Sequence, residues 1–311
     1  MPELPEVETI RRQLEPEVVG RRIVEVEVLD ERWTRPERPG KLERAVAGRK
    51  IEAVDRRGKY LILRLEGDRA LVMHLRMTGN LLLREAGAGE AVADLMETDR
   101  LGGPRLYEST PQLRFLRARM VLDDGSELLF TDARRFGHAI ALVGAEIHAY
   151  FAERLGIEPL DGGLTPEGIL ELAEGRRAPL KSFLLSQRGI AGIGNIYADE
   201  ALWRARLHPL SPAGSMKLEH CEDLAEAIVE TLEVALANGG SSIDDYRDAR
   251  GEMGSMQDEF LVHTREGEGC FRCGEVIRRV LVAGRSTYFC PGCQRRLRRR
   301  PRRRAKARTA R

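Results

Sequence analysis

Four cysteines in this 311-residue sequence fall in a metal-binding pattern: Cys270-x2-Cys273, then sixteen residues, then Cys290-x2-Cys293. Two such knuckles bring four thiolates to one tetrahedral ion, and the spacing is that of a zinc ribbon. So small a module cannot fold on an apolar core of its own, so one structural zinc ion is an expected folding requirement. Four thiolates also leave no open position for a reactive water. Phe271, Val276, Val280, Val282, Tyr288 and Phe289 are available for a β-hairpin between the knuckles. Zinc ribbons grip DNA, adapt proteins to one another or act as structural clips, so the site alone names no function. The fifth cysteine, Cys221, sits in a helical pattern and reads as an inert core residue.

The N-terminus offers a second centre. If Met1 is removed, Pro2 presents a secondary amine, and amines that attack a carbonyl or hemiacetal carbon form Schiff bases. An α-amine has a pKa of about 7.7 to 8.0, and the dipole at a helix start lowers it further. Glu3 stands beside it to move protons, and the same helix end attracts phosphate. On residue chemistry alone, a capping proline with an acidic first turn is the simpler reading. Lys59 precedes a strand and reads either as a surface lysine or as a phosphate partner. Asn195 follows the glycine-rich turn Gln187 to Gly194 and opens a helix, where its amide and backbone N–H groups make a phosphate seat as well as an N-cap.

These residues need elements to hold them. Val7, Ile10 and Leu14 recur at helical spacing after Pro5, which suits the first helical position, and Pro16 and Gly20 close the segment. Strands are predicted at Ile23 to Leu29, Lys50 to Asp55, Tyr60 to Leu65, Ala70 to Leu75, Asn80 to Leu83, Met120 to Leu122, Glu127 to Thr131 and Ala139 to Val143. After Val143 the period changes, predicting helices at His148 to Leu155, Pro166 to Glu174, Pro179 to Ser186, Asn195 to Arg206 and Lys217 to Ala237. Glu85 to Gln112 reads as a long loop or insertion and Gly239 to Gly269 as a mobile loop.

The composition is 42% apolar and 32% charged, enough for about two domains with cores of their own. No run approaches the roughly 18 apolar residues of a membrane span, and the acidic start lacks signal-peptide character, so a cytoplasmic protein without a membrane partner is expected. The net charge of +2 hides an asymmetry: from Gln294 to Arg311 there are eleven basic residues and no acid, which leaves 40 basic against 49 acidic residues before it. The tail reads as disordered, with a polyanion as its partner.

Several motifs occur together in a fixed order: PELPEVETIRRQL at residues 2–14, RRGKYL at 56–61, HLRMTG at 74–79, TDARRFG at 131–137, GIGNIYADE at 192–200, and the four-cysteine ribbon. Together they resemble the formamidopyrimidine-DNA glycosylases, over residues 2 to about 293, and the ELPEVE start is similar to this branch rather than to its endonuclease VIII relatives. The resemblance implies an α+β protein. Its N-terminal antiparallel β-sandwich with an N-terminal helix (1–146) would be followed by a helix-two-turn-helix domain (147–265), a zinc ribbon (266–293) and a basic tail (294–311), with a basic groove for duplex DNA. It implies a monomer of the nucleoid that excises oxidised purines and nicks the strand. In that reading Pro2 is the nucleophile, Glu3 the general acid and base, and Lys59 and Arg285 assist β- and δ-elimination. Met77 fills the gap left by the extruded base, Arg134 and Phe136 address the orphaned partner and wedge the stack, and Arg176 and Asn195 hold phosphates. Glu6 and Glu200 match acids near the active site.

The chain departs from the family at Arg114-Phe115-Leu116-Arg117, where a histidine is usual, at Gly254-Ser255-Met256, where aromatic residues are usual, and at His263-Thr264-Arg265, where Tyr-Gly-Arg is usual. These positions bear on lesion preference. The rival readings are an oxidised-pyrimidine glycosylase of the endonuclease VIII type, a non-catalytic zinc-ribbon DNA-binding protein, and a ribbon adaptor in a protein or RNA complex.

Overall fold

The structure is a computed structural model that describes residues 2–87, 115–243 and 246–298. Most of the insertion expected at 85–112, and the tail from residue 299 on, lie outside the described residues. The chain divides into two compact units, one of Met1–Glu158, Ala191–Ile193 and Leu232–Glu259, the other of Pro159–Ile190, Gly194–Thr231 and Phe260–Arg311.

The first unit begins with α1 (Leu4–Val18). Its apolar residues Leu4, Val7, Ile10, Leu14 and Val18 recur every three or four positions and are all fully buried. The helix runs two residues beyond Pro16, because a proline in the final turn removes only one backbone donor. The eight expected strands form: β1 (Ile23–Val28), β2 (Ile51–Arg57), β3 (Tyr60–Leu65), β4 (Arg69–His74), β5 (Gly79–Arg84), β6 (Leu116–Leu122), β7 (Glu127–Asp132) and β8 (His138–Val143). They build two four-stranded sheets, β1-β6-β7-β5 and β2-β3-β4-β8, in which every pairing is antiparallel.

The main core lies between the sheets, where Leu61, Leu63 and Met73 meet Met120, Leu128 and Phe130 beneath the buried face of α1. The opposite face of β3, with Tyr60 and Ile62, packs with Leu142 and with Ile147 and Phe151 of α3 (Ala145–Ala152). Burial on both faces explains the near-continuous apolar run YLILRL. A short helix, α2 (Pro39–Val46), was not evident in the sequence; it presents only Leu42 and Val46 to the core.

Gly239 to Gly269, expected as a mobile loop, departs from that expectation among its described residues. Tyr246 is 2% exposed and joins the sandwich core. The Ala249 carbonyl accepts from Leu83 N at 2.8 Å, and Ala249 N donates to Gln13 Oε1 at 2.9 Å. Anchoring through backbone hydrogen bonds leaves no apolar period to read in a sequence.

The second unit holds α4 (Pro166–Ala173), capped by Thr165 through Gly168 N at 3.1 Å, then α5 (Leu180–Leu184), α6 (Asn195–Arg204) and all but the last turns of α7 (Leu218–Ala237). Its hairpin, β9 (Arg278–Val282) and β10 (Arg285–Phe289), turns through Ala283 and Gly284, whose φ values of 50° and 75° suit a two-residue loop. Val282 and Phe289 are buried there. Phe271 and Val276, expected in the hairpin, lie outside both strands and are exposed. Among the described residues no helix is long and apolar enough to cross a membrane.

Candidate active site and metal centre

Pro2 and Glu3 are both buried at the start of α1. Glu6, one turn into the helix, holds this terminus: its Oε2 accepts Glu3 N at 2.7 Å and its Oε1 accepts Ser241 N at 2.7 Å. Leu4 N donates to the Gly192 carbonyl at 3.1 Å. Gly192 has φ +85°, and a Cβ there would lie 2.4 Å from the Leu4 side chain, so only glycine permits this approach. Gly240 behaves likewise, since its Cβ would meet Glu6 at 2.8 Å. The glycine-rich turn and the returning segment therefore close on the helix start from two directions within the first unit.

Lys59 is 7% exposed in the turn between β2 and β3. Glu158 fixes that turn, accepting Gly58 N at 2.9 Å and Arg57 Nη1 at 2.7 Å and pairing with Arg56. Arg56 also reaches Glu8 of α1, Nε to Oε2 at 3.0 Å, which ties the Lys59 turn to the helix that carries Pro2. Burial alone would raise the Glu8 carboxyl, but hydrogen bonds from Arg11 and Arg12 and the nearby guanidinium charges hold it below the ordinary carboxylate range.

Two further turns of this unit meet. Met77, between β4 and β5, and Phe136, between β7 and β8, are 39% and 53% exposed. Arg134 joins them, with its Nη1 3.5 Å from Met77 Sδ and its guanidinium carbon 4.9 Å from the Phe136 ring centroid. Large apolar side chains held outside a core around a cation suit insertion into a base stack.

His74, at the foot of the Met77 turn, stacks on His138 at 5.7 Å, and its Nδ1 accepts Arg76 N at 3.0 Å, which requires a neutral ring. Burial, then the Arg76 charge, push His74 well below its ordinary value and His138 down to about 4. An unfolded chain takes up these protons near pH 6.5, so the stabilisation is present above 6.5 and is lost as pH falls toward 4. The melting temperature should drop across that window, and His138→Asn should flatten the decline; an equal slope in the variant contradicts the assignment.

In the second unit Asn195 is the first residue of α6, and its Nδ2 donates to Ser286 O, at 3.1 Å, beside Arg285. Lys181, fully buried, donates to Asn195 O at 2.7 Å and to Asp199 Oδ1 at 2.5 Å, and His263 Nδ1 lies 2.9 Å from Asp199 Oδ2. The helix start and the β10 start thus share one scaffold, with Arg285 exposed upon it. Arg176 is exposed just beyond α4 and donates from Nε to Leu172 O at 2.6 Å. Glu200 is fully buried and accepts the backbone N–H groups of Leu261, Val262 and His263 at 2.8 to 3.0 Å, an anchor for the approach to the ribbon. Glu158, Lys181 and Asp199 were not singled out from the sequence. Asp199 lies within the GIGNIYADE motif but carried no role of its own there, and no motif marks Glu158 or Lys181, whose partners lie 14 to 102 residues away.

The four ribbon thiols converge, with Sγ atoms all within 4.8 Å of one another, 3.9 Å for Cys270 and Cys293 and 3.5 Å for Cys273 and Cys290. Tetrahedral zinc with bonds of about 2.3 Å places neighbouring sulfurs about 3.8 Å apart, so the donor set fits that ion. Trp203 of α6 donates its indole N–H to Cys270 Sγ at 3.4 Å, and Trp203, Val262 and Ile277 pack around Cys270 and Cys290. One zinc ion held by these cysteines is structural.

A sandwich with Pro2 and Glu3 buried at its helix start, followed in the chain by a four-thiol ribbon, is the architecture of a DNA glycosylase that carries a zinc finger. Family models match in the order of the chain: the formamidopyrimidine-DNA glycosylase N-terminal domain at residues 1–139, its H2TH domain at 155–247, and the zinc finger found in FPG and IleRS at 267–296. The formamidopyrimidine-DNA glycosylase of Chloroflexus aurantiacus is 44% identical, over 94% of this chain and 98% of its own length. That of Roseiflexus is 41% identical, over 95% of this chain and all of its own. Among solved structures, the Lactococcus lactis Fpg bound to DNA containing an abasic site superposes with a TM-score of 0.80 at 33% identity, over 94% of this chain and 100% of that one. The chain belongs to the formamidopyrimidine-DNA glycosylase family, whose members carry glycosylase and AP lyase activity in base excision repair.

Proposed function

We propose that this chain removes oxidised purines, 8-oxoguanine and formamidopyrimidines, from duplex DNA and then cuts the strand at the resulting site. The observation that carries the reading is the buried Pro2–Glu3 terminus, held at the start of α1 by Glu6 and Gly192. Once Met1 is removed, the Pro2 nitrogen forms a bond to deoxyribose C1′ as the bond from C1′ to the base breaks and the base leaves with a proton. Glu3 supplies and withdraws protons as the sugar ring opens to an iminium. The iminium acidifies the C2′ proton, whose loss expels the 3′ phosphate; a second elimination expels the 5′ phosphate and leaves a one-nucleotide gap. Water then releases Pro2. Lys59 and Arg285 assist the two eliminations, and Arg176 and Asn195 hold phosphates. Zinc supplies no chemistry to these steps and only orders the ribbon.

Taking a nucleotide out of the stack costs a few kcal/mol, which Met77 and Phe136 offset by filling the space while Arg134 faces the orphaned base. The protein acts as a monomer on damaged double-stranded DNA at the nucleoid, where the basic tail adds salt-dependent residence.

A panel of duplexes tests the lesion class. Oxidised pyrimidines belong in it because the Lactococcus lactis Fpg has been solved with DNA containing one. Excision of 8-oxoguanine and formamidopyrimidine at least tenfold faster than of thymine glycol, in kcat/KM, is the expected result. A reversed order moves the chain to oxidised pyrimidines.

A further inference from the structure

Met77, Arg134 and Phe136 sit on two separate turns, yet one pair of buried side chains governs both. Thr78 and Asp132 are 8% and 1% exposed. The Thr78 hydroxyl donates to Asp132 Oδ1 and accepts Arg134 N at 3.0 Å. Asp132 Oδ1 also accepts Arg134 N, at 3.1 Å, and Oδ2 accepts Gly137 N at 2.7 Å. The carboxylate thus spans the turn that carries Phe136, from Arg134 N to Gly137 N, and the hydroxyl fixes the residue that follows Met77 to the backbone of Arg134.

The surrounding chain leaves these turns little freedom. A Cβ at Gly79 would lie 2.3 Å from the Leu75 carbonyl oxygen, and one at Gly137 would lie 2.6 Å from the Phe130 ring. Arg76 and Arg135 take φ values of 60° and 61°, a region that L side chains seldom adopt. Arg135 is held there by an ion pair with Asp30, whose carboxyl that hydrogen bond keeps below the ordinary range. Arg117 Nε closes the set by donating to the Asp132 carbonyl at 2.9 Å. Exposed methionine and phenylalanine on independent loops are free to fold back onto the protein surface; here Thr78 and Asp132 tie the two turns to each other.

We propose that the hydroxyl of Thr78 and the carboxylate of Asp132 form a clasp that joins the Met77 turn and the Arg134–Phe136 turn into a single rigid wedge, making Thr78 a positioning residue for base extrusion. The proposal rests on the glycosylase reading above and concerns one stage of it, the opening of the stack, and not the chemistry at Pro2. Valine has the shape of threonine without the hydroxyl. Thr78→Val therefore removes the donor to Asp132 and one acceptor for Arg134 N while leaving the volume filled.

The test compares Thr78→Val and Thr78→Ser with the unmodified protein in two reactions: single-turnover excision of 8-oxoguanine from a duplex, and cleavage of a single strand that already contains an abasic site. Losing one buried hydrogen bond predicts duplex excision slower by on the order of tenfold in Thr78→Val. Cleavage of the abasic single strand should stay within about twofold, and Thr78→Ser should restore excision. Wild-type excision in Thr78→Val overturns the clasp, as does a parallel loss in both reactions or a failure of serine to restore. Should the valine variant not fold, Thr78→Ala carries the same comparison. Borohydride trapping of the unmodified protein on the abasic strand reports on the Pro2 chemistry separately, so failure of the clasp and failure of the glycosylase reading give different results.

Discussion

Replacing Pro2 with glycine, or retaining Met1 ahead of it, should lower strand cleavage at a damaged base by about a thousandfold or more, equivalent to about 4 kcal/mol of barrier. Retained Met1 is the sharper form, because every side chain of the folded unit stays as it is and only the amine is moved. Leu4 N is bonded to Gly192 O at 3.1 Å and Glu3 N to Glu6 at 2.7 Å, contacts that do not involve the Pro2 nitrogen and so hold the helix start whichever residue precedes Pro2. Glu3→Gln keeps the shape and removes the proton carrier, for which general acid–base catalysis predicts a loss of roughly a hundred- to ten-thousandfold. All three variants should melt near the unmodified protein, because the apolar face of α1 begins at Leu4 and its contacts are unchanged. The kinetics are to be read on lesion-bearing duplexes, with melting temperatures as the control for folding.

Removing zinc should have the second large effect, and the chain carries its own probe for it. It has two tryptophans, one in each unit: Trp33 lies against Phe130 in the sandwich at 5.1 Å, and Trp203 donates to Cys270 Sγ at 3.4 Å. Structural zinc in finger peptides contributes on the order of 10 to 16 kcal/mol, far more than a module of this size draws from its core. A chelator, or Cys290→Ser, should therefore unfold the ribbon and shift Trp203 emission to the red. Trp33 emission should not change, and a Trp33→Phe variant isolates the Trp203 shift. DNA binding should fall with the ribbon, since Arg285 begins β10 and Asn195 is bonded to Ser286. Unchanged Trp203 emission after complete chelation contradicts a folding role for the metal.

The two strongest signals in the sequence are chemical. Cysteine spacing anticipated a cluster that closes within 4.8 Å, and the period of Val7, Ile10 and Leu14 anticipated a helix whose apolar face is fully buried. Both are local, because knuckles and amphipathic helices are written over a few residues. The strands were legible for the same reason: β3 matches its expected span, whereas β6 begins at Leu116, four residues before its expected start at Met120. What escaped was held by polar contacts between distant residues. Glu158 grips the turn at Gly58 from about a hundred positions away, and Thr78 meets Asp132 from more than fifty. The 239–269 segment escaped because its buried side chains, Tyr246, Ala249, Met256, Phe260 and Val262, are irregularly spaced among backbone anchors and leave no period. The turns bearing Met77, Arg134 and Phe136 attracted notice only through the family resemblance. As isolated residues they are indistinguishable from core or surface side chains, and their meeting depends on two sheets bringing the β4–β5 and β7–β8 turns together.

The most direct measurement is a reductive trap followed by peptide mapping. The mature protein is mixed with a duplex containing one abasic site, reduced with borohydride, digested, and the modified peptide located by mass spectrometry. A sugar adduct on the N-terminal peptide, placed on the Pro2 nitrogen by fragmentation, is the predicted result. An adduct on Lys59 or another lysine, or no adduct from protein whose mature end begins at Pro2, contradicts the account.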